Sequence, residues 1–451
     1  MELQSYLDDK IARAKKALAA LEYCTQDQVD AFAKACAKAV FDNGEELARR
    51  AVDETKMGVY EDKVAKNKNK AKIIWWSLRN KPSVGIIERD YSTGIVKIAK
   101  PVGVVAAVTP VTNPIVTPMS NAMFALKGRN PIIVAPHPKA ISCGIQTVRY
   151  MNEALKKIGA PEDAIQIIDE PSLELSQMLM RAADVVIATG GMGMVRAVYS
   201  SGKPALGVGA GNVQAFIDDD VDFAAAVKMI VTGRAFDNGI ICTGEQSVIA
   251  PRAHYDQILG LFGPNGAYVV PNAQRAALRD ATFPGGKMSG ALVGQSAASV
   301  AQTAGISIPE GTKVLVVEAE DTKDVLGSEK MFPVLTTYRY DTWEEAIKIA
   351  RANLDKIGKG HTIAVHSHNR QHIEEAALKT EVSRIVVNQI SSTSGGGSYQ
   401  NGLSPTNTLG CGSWGNNSIS ENLSYFHLIN ISRIANVLDD RTAPAEEKIW
   451  A

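Results

Sequence analysis

The sequence has no cysteine pair at CxxC spacing and no HExxH. A protein-bound metal site is therefore not expected. No apolar run approaches the ~18–20 residues that a bilayer span needs. There is no charge excess either, since Lys+Arg and Asp+Glu both number 48. A balanced chain offers no global basic field to nucleic acid or to an acidic membrane. Cysteine is sparse: Cys24, Cys36, Cys143, Cys242 and Cys411 are odd in number and widely scattered. That fits reduced thiols in a cytoplasmic protein better than a disulfide framework. The start, MELQSYLDDKIARAKKAL, is charged and helical in pattern, unlike a secretory signal. A proper GxGxxG is missing too, so the common dinucleotide fingerprint is absent.

What is present is length and alternation. A chain of 451 residues is too long for one ordinary core, so two large domains are expected. Through about Trp76 the apolar residues recur at helical spacing, as in DQVDAFAKACAKAV. Around DYSTG, within about 82–100, two β-rich runs flank a turn and predict a hairpin. Then short apolar runs (NPIIVAP, AIQIID, ADVVIATGG) alternate with amphipathic stretches such as SCGIQTVRYMNEALKKIG. This is the pattern of parallel βαβ units with helices on both sheet faces. It restarts after about residue 220 and runs through QSVIAP, TKVLVVEAE, HTIAVHS and RIVVNQ. The fold class is α/β with two such domains. GGGSYQNG, near residue 400, reads as a loop bordering a site.

Two strands end in glycine-rich turns, ATGGMGMV and GVGAGN. Bare backbone there can approach a phosphate at the carboxyl end of a parallel strand. Tight turns are the plainer alternative. PHPKA puts His137 and Lys139 where a cofactor ribose would lie in an open α/β sheet. No acid stands there to accept a 2′-hydroxyl, and a base can pair a 2′-phosphate, which leans toward NADP. A solvated turn lysine is the alternative. In NGIICTGEQSVI, Cys242 is either a buried spectator, as most free cysteines are, or a presented nucleophile.

The motifs TPVTNPIVTP, APHPKA, ATGGMGMV, GVGAGN, RAFDNGIICTGEQS, EKMFPVL, GHTIAVHS and LGCGSWGNNSISENLSY follow one another in this order. Together they resemble the CoA-acylating branch of the aldehyde dehydrogenase superfamily, from about Val52 to the end. VDETKMGVYEDKVAKN and GSWGNNSISEN look closest to CoA-acylating succinate-semialdehyde dehydrogenases. The resemblance implies a Rossmann-type cofactor domain over 1–220, carrying the 82–100 hairpin. It implies a catalytic domain over 221–420, and a segment 421–451 that returns to the cofactor domain and an oligomer interface. A homodimer or homotetramer is implied, with NADP or NAD as cofactor and CoA as co-substrate.

By the same resemblance Cys242 is the nucleophile, whose thiolate adds to the aldehyde carbon and becomes an acyl thioester after hydride loss. Asn113, in TNP, matches the oxyanion amide, with the Cys242 N–H as second donor. His361, in GHT, matches a histidine of the acylating branch that relays a proton, with a pKa near neutrality suited to it. Glu329, in EKMFPVL, matches the glutamate that holds the nicotinamide ribose. Thr109, Pro110, Gly190, Gly191 and Gly193 are the remaining candidates for cofactor binding, beside His137 and Lys139. Gly207, in ALGVGAGN, stands where hydrolytic relatives carry a glutamate base. Without such a base water attack slows and a thiol acceptor wins. For a distal carboxylate the tract QISSTSGGGSYQNG offers Ser391, Ser392 and Thr393 but no cation. Arg234 and Arg384 are the nearest basic candidates, each equally readable as a structural ion pair. Sulfoacetaldehyde and acetaldehyde are the rival aldehydes, and a nucleotide-binding scaffold without catalysis is the remote one.

Overall fold

The computed structural model describes residues 3–451. Four helices open the chain: Leu3–Leu21, Gln26–Asp42, Gly44–Thr55 and Tyr60–Leu78. The second is fixed by reciprocal capping, in which the Thr25 hydroxyl accepts the Gln28 N–H and the Gln28 side chain accepts the Thr25 N–H. Its buried stripe includes Val29, Phe32, Cys36 and Val40. β1 (Gly85–Asp90) and β2 (Ile95–Pro101) then form the expected antiparallel hairpin.

β3 (Val105–Val108), β4 (Ile132–Ala135), β5 (Ile165–Ile167), β6 (Val185–Thr189) and β7 (Ala205–Val208) form a parallel sheet in the order β5-β4-β3-β6-β7. The order reverses between β3 and β6, and a ligand crevice opens where adjacent crossovers part to opposite faces. A second parallel sheet contains β8 (Val213–Ile217), β9 (Glu245–Pro251), β10 (Ala267–Val269), β11 (Val314–Glu318), β12 (Val334–Tyr340), β13 (Gly360–His366) and β14 (Val382–Val387). Its order is β10-β11-β12-β9-β8-β13-β14. β15 (Ile429–Ala435) pairs antiparallel with β2 and completes a small three-stranded sheet. Asn130 Nδ2 donates to Leu428 O at 2.7 Å and ties this returning segment to the five-stranded sheet.

Two features differ from expectation. β8 belongs to the seven-stranded sheet, so the chain crosses over at Gly209–Asn212 rather than at residue 220. VQAFI is buried at every position, and periodicity does not say which sheet a fully buried strand joins. The helix Val116–Lys127 was not legible, because all its residues are buried and it shows no amphipathic stripe. Among the described residues no helix is long and apolar enough to cross a membrane.

The two large sheets meet end to end. The carboxyl ends of β3, β4 and β6 face the segments that lead into the amino ends of β8, β9, β12 and β13. The loops in that gap form the site.

Candidate active site

Cys242 lies at the junction of two chambers. The first has a volume of ≈ 560 Å³ and occupies the switch-point crevice. The second, of ≈ 310 Å³, lies beneath the helix Tyr60–Leu78 and the loop around residue 397. Asn113, Cys242, Asn407 and Leu409 line both.

The turn before Cys242 is held in an uncommon backbone state. Asp237 and Asn238 have φ of 51° and 53°, and Gly239 follows at 71°. Consecutive left-handed residues other than glycine are costly and persist only when their surroundings enforce them. Here they do. The Asp237 carboxylate accepts the Val59 N–H at 2.9 Å, Lys63 Nζ at 3.1 Å and Lys66 Nζ at 2.7 Å. Asp62 accepts the Asp237 N–H at 2.8 Å, and Asn238 Nδ2 donates to Gly294 O at 2.9 Å. Burial opposes ionisation of Asp237, but Lys66 and Lys63 outweigh it and hold the carboxyl below its usual range. Lys66 Nζ also donates to Asn113 Oδ1 at 2.7 Å. One buried ammonium thus joins the nucleophile turn to the amide expected to meet the aldehyde oxygen.

Thr109, Pro110, His137, Lys139, Gly190, Gly191, Glu329 and His361 line the first chamber with Cys242. Glu329 is its sole carboxylate, and its Oε1 accepts the Gly211 N–H at 3.1 Å. Burial pushes Glu329 up to about 7. A Cβ at Gly211 would stand 2.1 Å from Cys242 O and 3.2 Å from His361 Nδ1, so only glycine fits between them. Cys242 is half-buried. Burial, with the Glu329 charge adding, pushes its thiol up to about 12. The resting group is therefore a thiol that must lose a proton to react. The N–H ends of the Asn113 amide and of Cys242 itself are the donors available to an oxyanion here.

The second chamber has a different character. Lys66, Asn69, Lys70 and Ile73 enter it from one helix, and Thr243, Ser392, Thr393, Gly396, Gly397, Ser398 and Tyr399 line the opposite side. No carboxylate lines it. Lys70 Nζ donates to Gly396 O at 2.9 Å and Thr406 O at 3.2 Å, and burial pushes it down to about 8.

This frame has close counterparts. The sequence pattern of the aldehyde dehydrogenase family matches residues 4–267. A succinate-semialdehyde dehydrogenase (acetylating) from Clostridium kluyveri is 52% identical over 98% of either chain. A sulfoacetaldehyde dehydrogenase from Acholeplasma sp. is 42% identical, over 98% of this chain and 92% of that one. The crystal structure of an acetylating aldehyde dehydrogenase from Geobacillus thermoglucosidasius superposes with a TM-score of 0.94 at 35% identity, covering 98% of each chain. The chain belongs to the aldehyde dehydrogenase family. Within it, the chain stands in the acylating branch, whose members are oxidoreductases using NAD(P) and CoA.

In aldehyde dehydrogenase terms the first chamber fits a dinucleotide. It lies at the switch point of a parallel sheet, and the bare Gly190–Gly191 backbone follows β6 directly. A Cβ at Gly191 would meet nothing within 4 Å, so that glycine leaves open space at the crevice mouth. Lys139 is exposed at the rim, its N–H donated to His137 Nδ1 at 3.0 Å. When bound there, NAD(P)⁺ supplies the hydride acceptor.

Several expected residues lie elsewhere. Gly193 is exposed in the first turn of the helix Met192–Tyr199 and lines neither chamber. Arg234 is fully buried and donates to the carbonyls of Lys330 and Phe332, so it braces the segment carrying Glu329 and does not reach substrate. Arg384 is likewise buried. It donates to Gly410 O at 2.7 Å and Gly360 O at 3.4 Å, and its charge acts on the Cys242 thiol only as a lesser, lowering influence. Ser391 uses its N–H on Glu245 at 2.7 Å and lines neither chamber, whereas Ser392 and Thr393 line the second. His361 has its Nδ1 3.0 Å from Thr362 Oγ1, and burial pushes it well below the usual histidine range. It is a neutral imidazole, not one poised near neutrality. Gly207 faces the Tyr199 ring and lines neither chamber. The chamber wall beside it is Val208–Ala210. Cys411 is buried in a tight Gly-Cys-Gly turn, and Cys24, Cys36 and Cys143 are core thiols.

Lys63, Lys66 and Lys70 were missed. In EDKVAKNKNKAK they look like part of a solvated charged face, yet with Ile73 they recur at helical spacing on one face. That a single stripe holds three lysines and an isoleucine was the available signal.

Proposed function

We propose that the protein interconverts succinate semialdehyde, CoA and NAD(P)⁺ with succinyl-CoA and NAD(P)H through a thioester on Cys242. The observation that carries the substrate reading is the charge of the second chamber, where the Lys70 ammonium bonds only to carbonyls and, among the described residues, no carboxylate lines the wall. Such a chamber favours an aldehyde whose far end is an anion. The likeness to a succinate-semialdehyde dehydrogenase at 52% identity supports the same reading.

The chemistry needs three acts from the chain. Cys242 loses its proton and adds to the aldehyde carbon, and the oxygen takes up negative charge. The Asn113 amide and the Cys242 N–H would hold that charge, and NAD(P)⁺ seated in the first chamber would supply the hydride acceptor. The CoA thiol then attacks the thioester carbon, and its proton passes to the departing Cys242 sulfur, which restores the resting thiol. The 52% identical relative is named as an acetylating enzyme, which supports transfer of the acyl group to a thiol over water.

A second reading is sulfoacetaldehyde, whose sulfonate offers the same charge one carbon nearer the aldehyde. A relative at 42% identity bears that name. The test is a panel of succinate semialdehyde, sulfoacetaldehyde and acetaldehyde with CoA and either cofactor, the acyl-CoA identified by mass. The highest kcat/KM is expected for succinate semialdehyde with succinyl-CoA as product. A preference for acetaldehyde would defeat both anionic readings.

A further inference from the structure

We infer that Lys70, with the hydroxyl of Ser392 across the chamber from it, is the seat for the distal anion of the aldehyde. This rests on the anionic-substrate reading above and names the residues behind it.

The chamber's two lysines are not equivalent. Lys66 is spent, because its ammonium is divided between Asn113 Oδ1 and the Asp237 carboxylate, which it shares with Lys63. Lys70 forms no ion pair among the described residues, and its only hydrogen bonds go to the carbonyls of Gly396 and Thr406. An ammonium has three donors, so one remains. Lys70 is half-buried, and a cation partly withdrawn from water without a counter-ion is costly unless something supplies the opposite charge. No protein group does so here, since no carboxylate lines the chamber. An incoming carboxylate or sulfonate would therefore meet an unspent donor and an uncompensated charge together.

Ser392 adds a second donor. The residue is 7% exposed, and its hydroxyl has no hydrogen-bond partner within the fold. A rotation about χ1 toward a bound anion would break no existing bond. Its neighbour Thr393 is different, its hydroxyl already donating to Ile390 O at 3.3 Å. Lys70 also lies close enough to Cys242 for the charges of the two to act on each other. The anion seat and the nucleophile thus line one chamber of ≈ 310 Å³, open to a small ω-anionic aldehyde.

The experiment compares kcat/KM for succinate semialdehyde, sulfoacetaldehyde and uncharged butyraldehyde in the full-length protein, Lys70→Met, Lys70→Arg and Ser392→Ala. In Lys70→Met the preference for either anionic aldehyde over butyraldehyde is expected to fall by about 10–100-fold, the worth of one hydrogen bond to a charged group, mainly through KM. Lys70→Arg should keep most of the preference, and Ser392→Ala should lose a smaller part. The ratio of succinate semialdehyde to sulfoacetaldehyde distinguishes the two sources of the anion. If Lys70→Met does not fold, inhibition of the unmodified protein gives the answer. Propionate should compete with butyraldehyde where propionamide does not. Equal loss for charged and uncharged aldehydes, or equal inhibition by the acid and its amide, would overturn the seat. If the unmodified protein prefers anionic aldehydes and Lys70→Met leaves that preference intact, the seat fails and the substrate reading stands. If the unmodified protein shows no such preference, both fail.

Discussion

Lys66 donates to the side-chain oxygen of Asn113 at 2.7 Å, and that contact decides which end of the amide faces the aldehyde. With Oδ1 engaged, the NH₂ end is left for the chamber, where a donor is needed. The same ammonium reaches Asp237 at 2.7 Å, in the left-handed turn just before Cys242. The Asn113 amide and the turn before Cys242 are therefore both held by one buried charge.

Loss of Asn113 should show mainly in kcat. Asn113→Ala is expected to lower the rate of the first turnover by about 10²–10³-fold, as removal of one oxyanion donor does elsewhere. Lys66→Met should slow that step by the same factor for charged and uncharged aldehydes, because it acts through Asn113. It should also destabilise the fold by about 1.5–3 kcal/mol, the worth of one hydrogen bond to a charged group, since Asp237 keeps Lys63. Single-turnover rates and thermal melts read the two effects separately. An undiminished first turnover in Lys66→Met would mean that the amide is held by something else.

The thiol of Cys242 offers a pH test. Burial pushes it up to about 12, so the reactive thiolate becomes commoner throughout the working range as pH rises. Alkylation by iodoacetamide, followed on the peptide containing Cys242, should therefore quicken about tenfold per pH unit from 7 to 10 without levelling. Glu329 contributes to the raised value. Glu329→Gln removes that negative charge, lowers the thiol pKa and should speed alkylation at fixed pH while weakening cofactor binding. Cys242→Ala should abolish turnover, and Cys411→Ala should leave a substantial rate. A plateau below pH 9 would show that another group ionises the thiol in the resting protein.

Lys139 bears on the cofactor. It is exposed at the rim of the first chamber, in a turn fixed by its own N–H on His137. If it meets a 2′-phosphate, Lys139→Ala should raise the KM for NADP⁺ several-fold, about 1 kcal/mol, and leave that for NAD⁺ much less changed. Equal changes for both cofactors would reduce it to a surface lysine.

What the sequence revealed and what it hid divide along physical lines. The alternation of NPIIVAP, ADVVIATGG and HTIAVHS with amphipathic helices was enough for two parallel sheets, because each strand is short, continuous and apolar. The ordered motifs led to the family. The sequence could not say whether a charged residue faces solvent or a chamber. Arg234 and Arg384 looked available and are consumed by backbone carbonyls. Lys70, in a run that looks solvated, opens into the chamber. Such differences depend on which helix face meets a neighbouring loop, a long-range fact that local pattern does not contain.

The fate of the thioester gives the last prediction. Glutamate at position 207 is not a route to hydrolysis, since a Cβ there stands 3.2 Å from the Tyr199 ring and outside both chambers. Gly207→Glu should destabilise the protein without creating a base for water. The argument for a thiol acceptor rests instead on kinship with acetylating enzymes, at 52% and 35% identity. Without CoA, mixing protein, aldehyde and NAD(P)⁺ should yield a burst of about one NAD(P)H per active site and then stop. Intact-protein mass spectrometry should find the acyl group on the peptide NGIICTGEQ. CoA should restart the reaction and carry the acyl group away as a thioester. Sustained turnover to the free acid without CoA would mean that water reaches the acyl-enzyme with a base beside it, and the acylating assignment would fall.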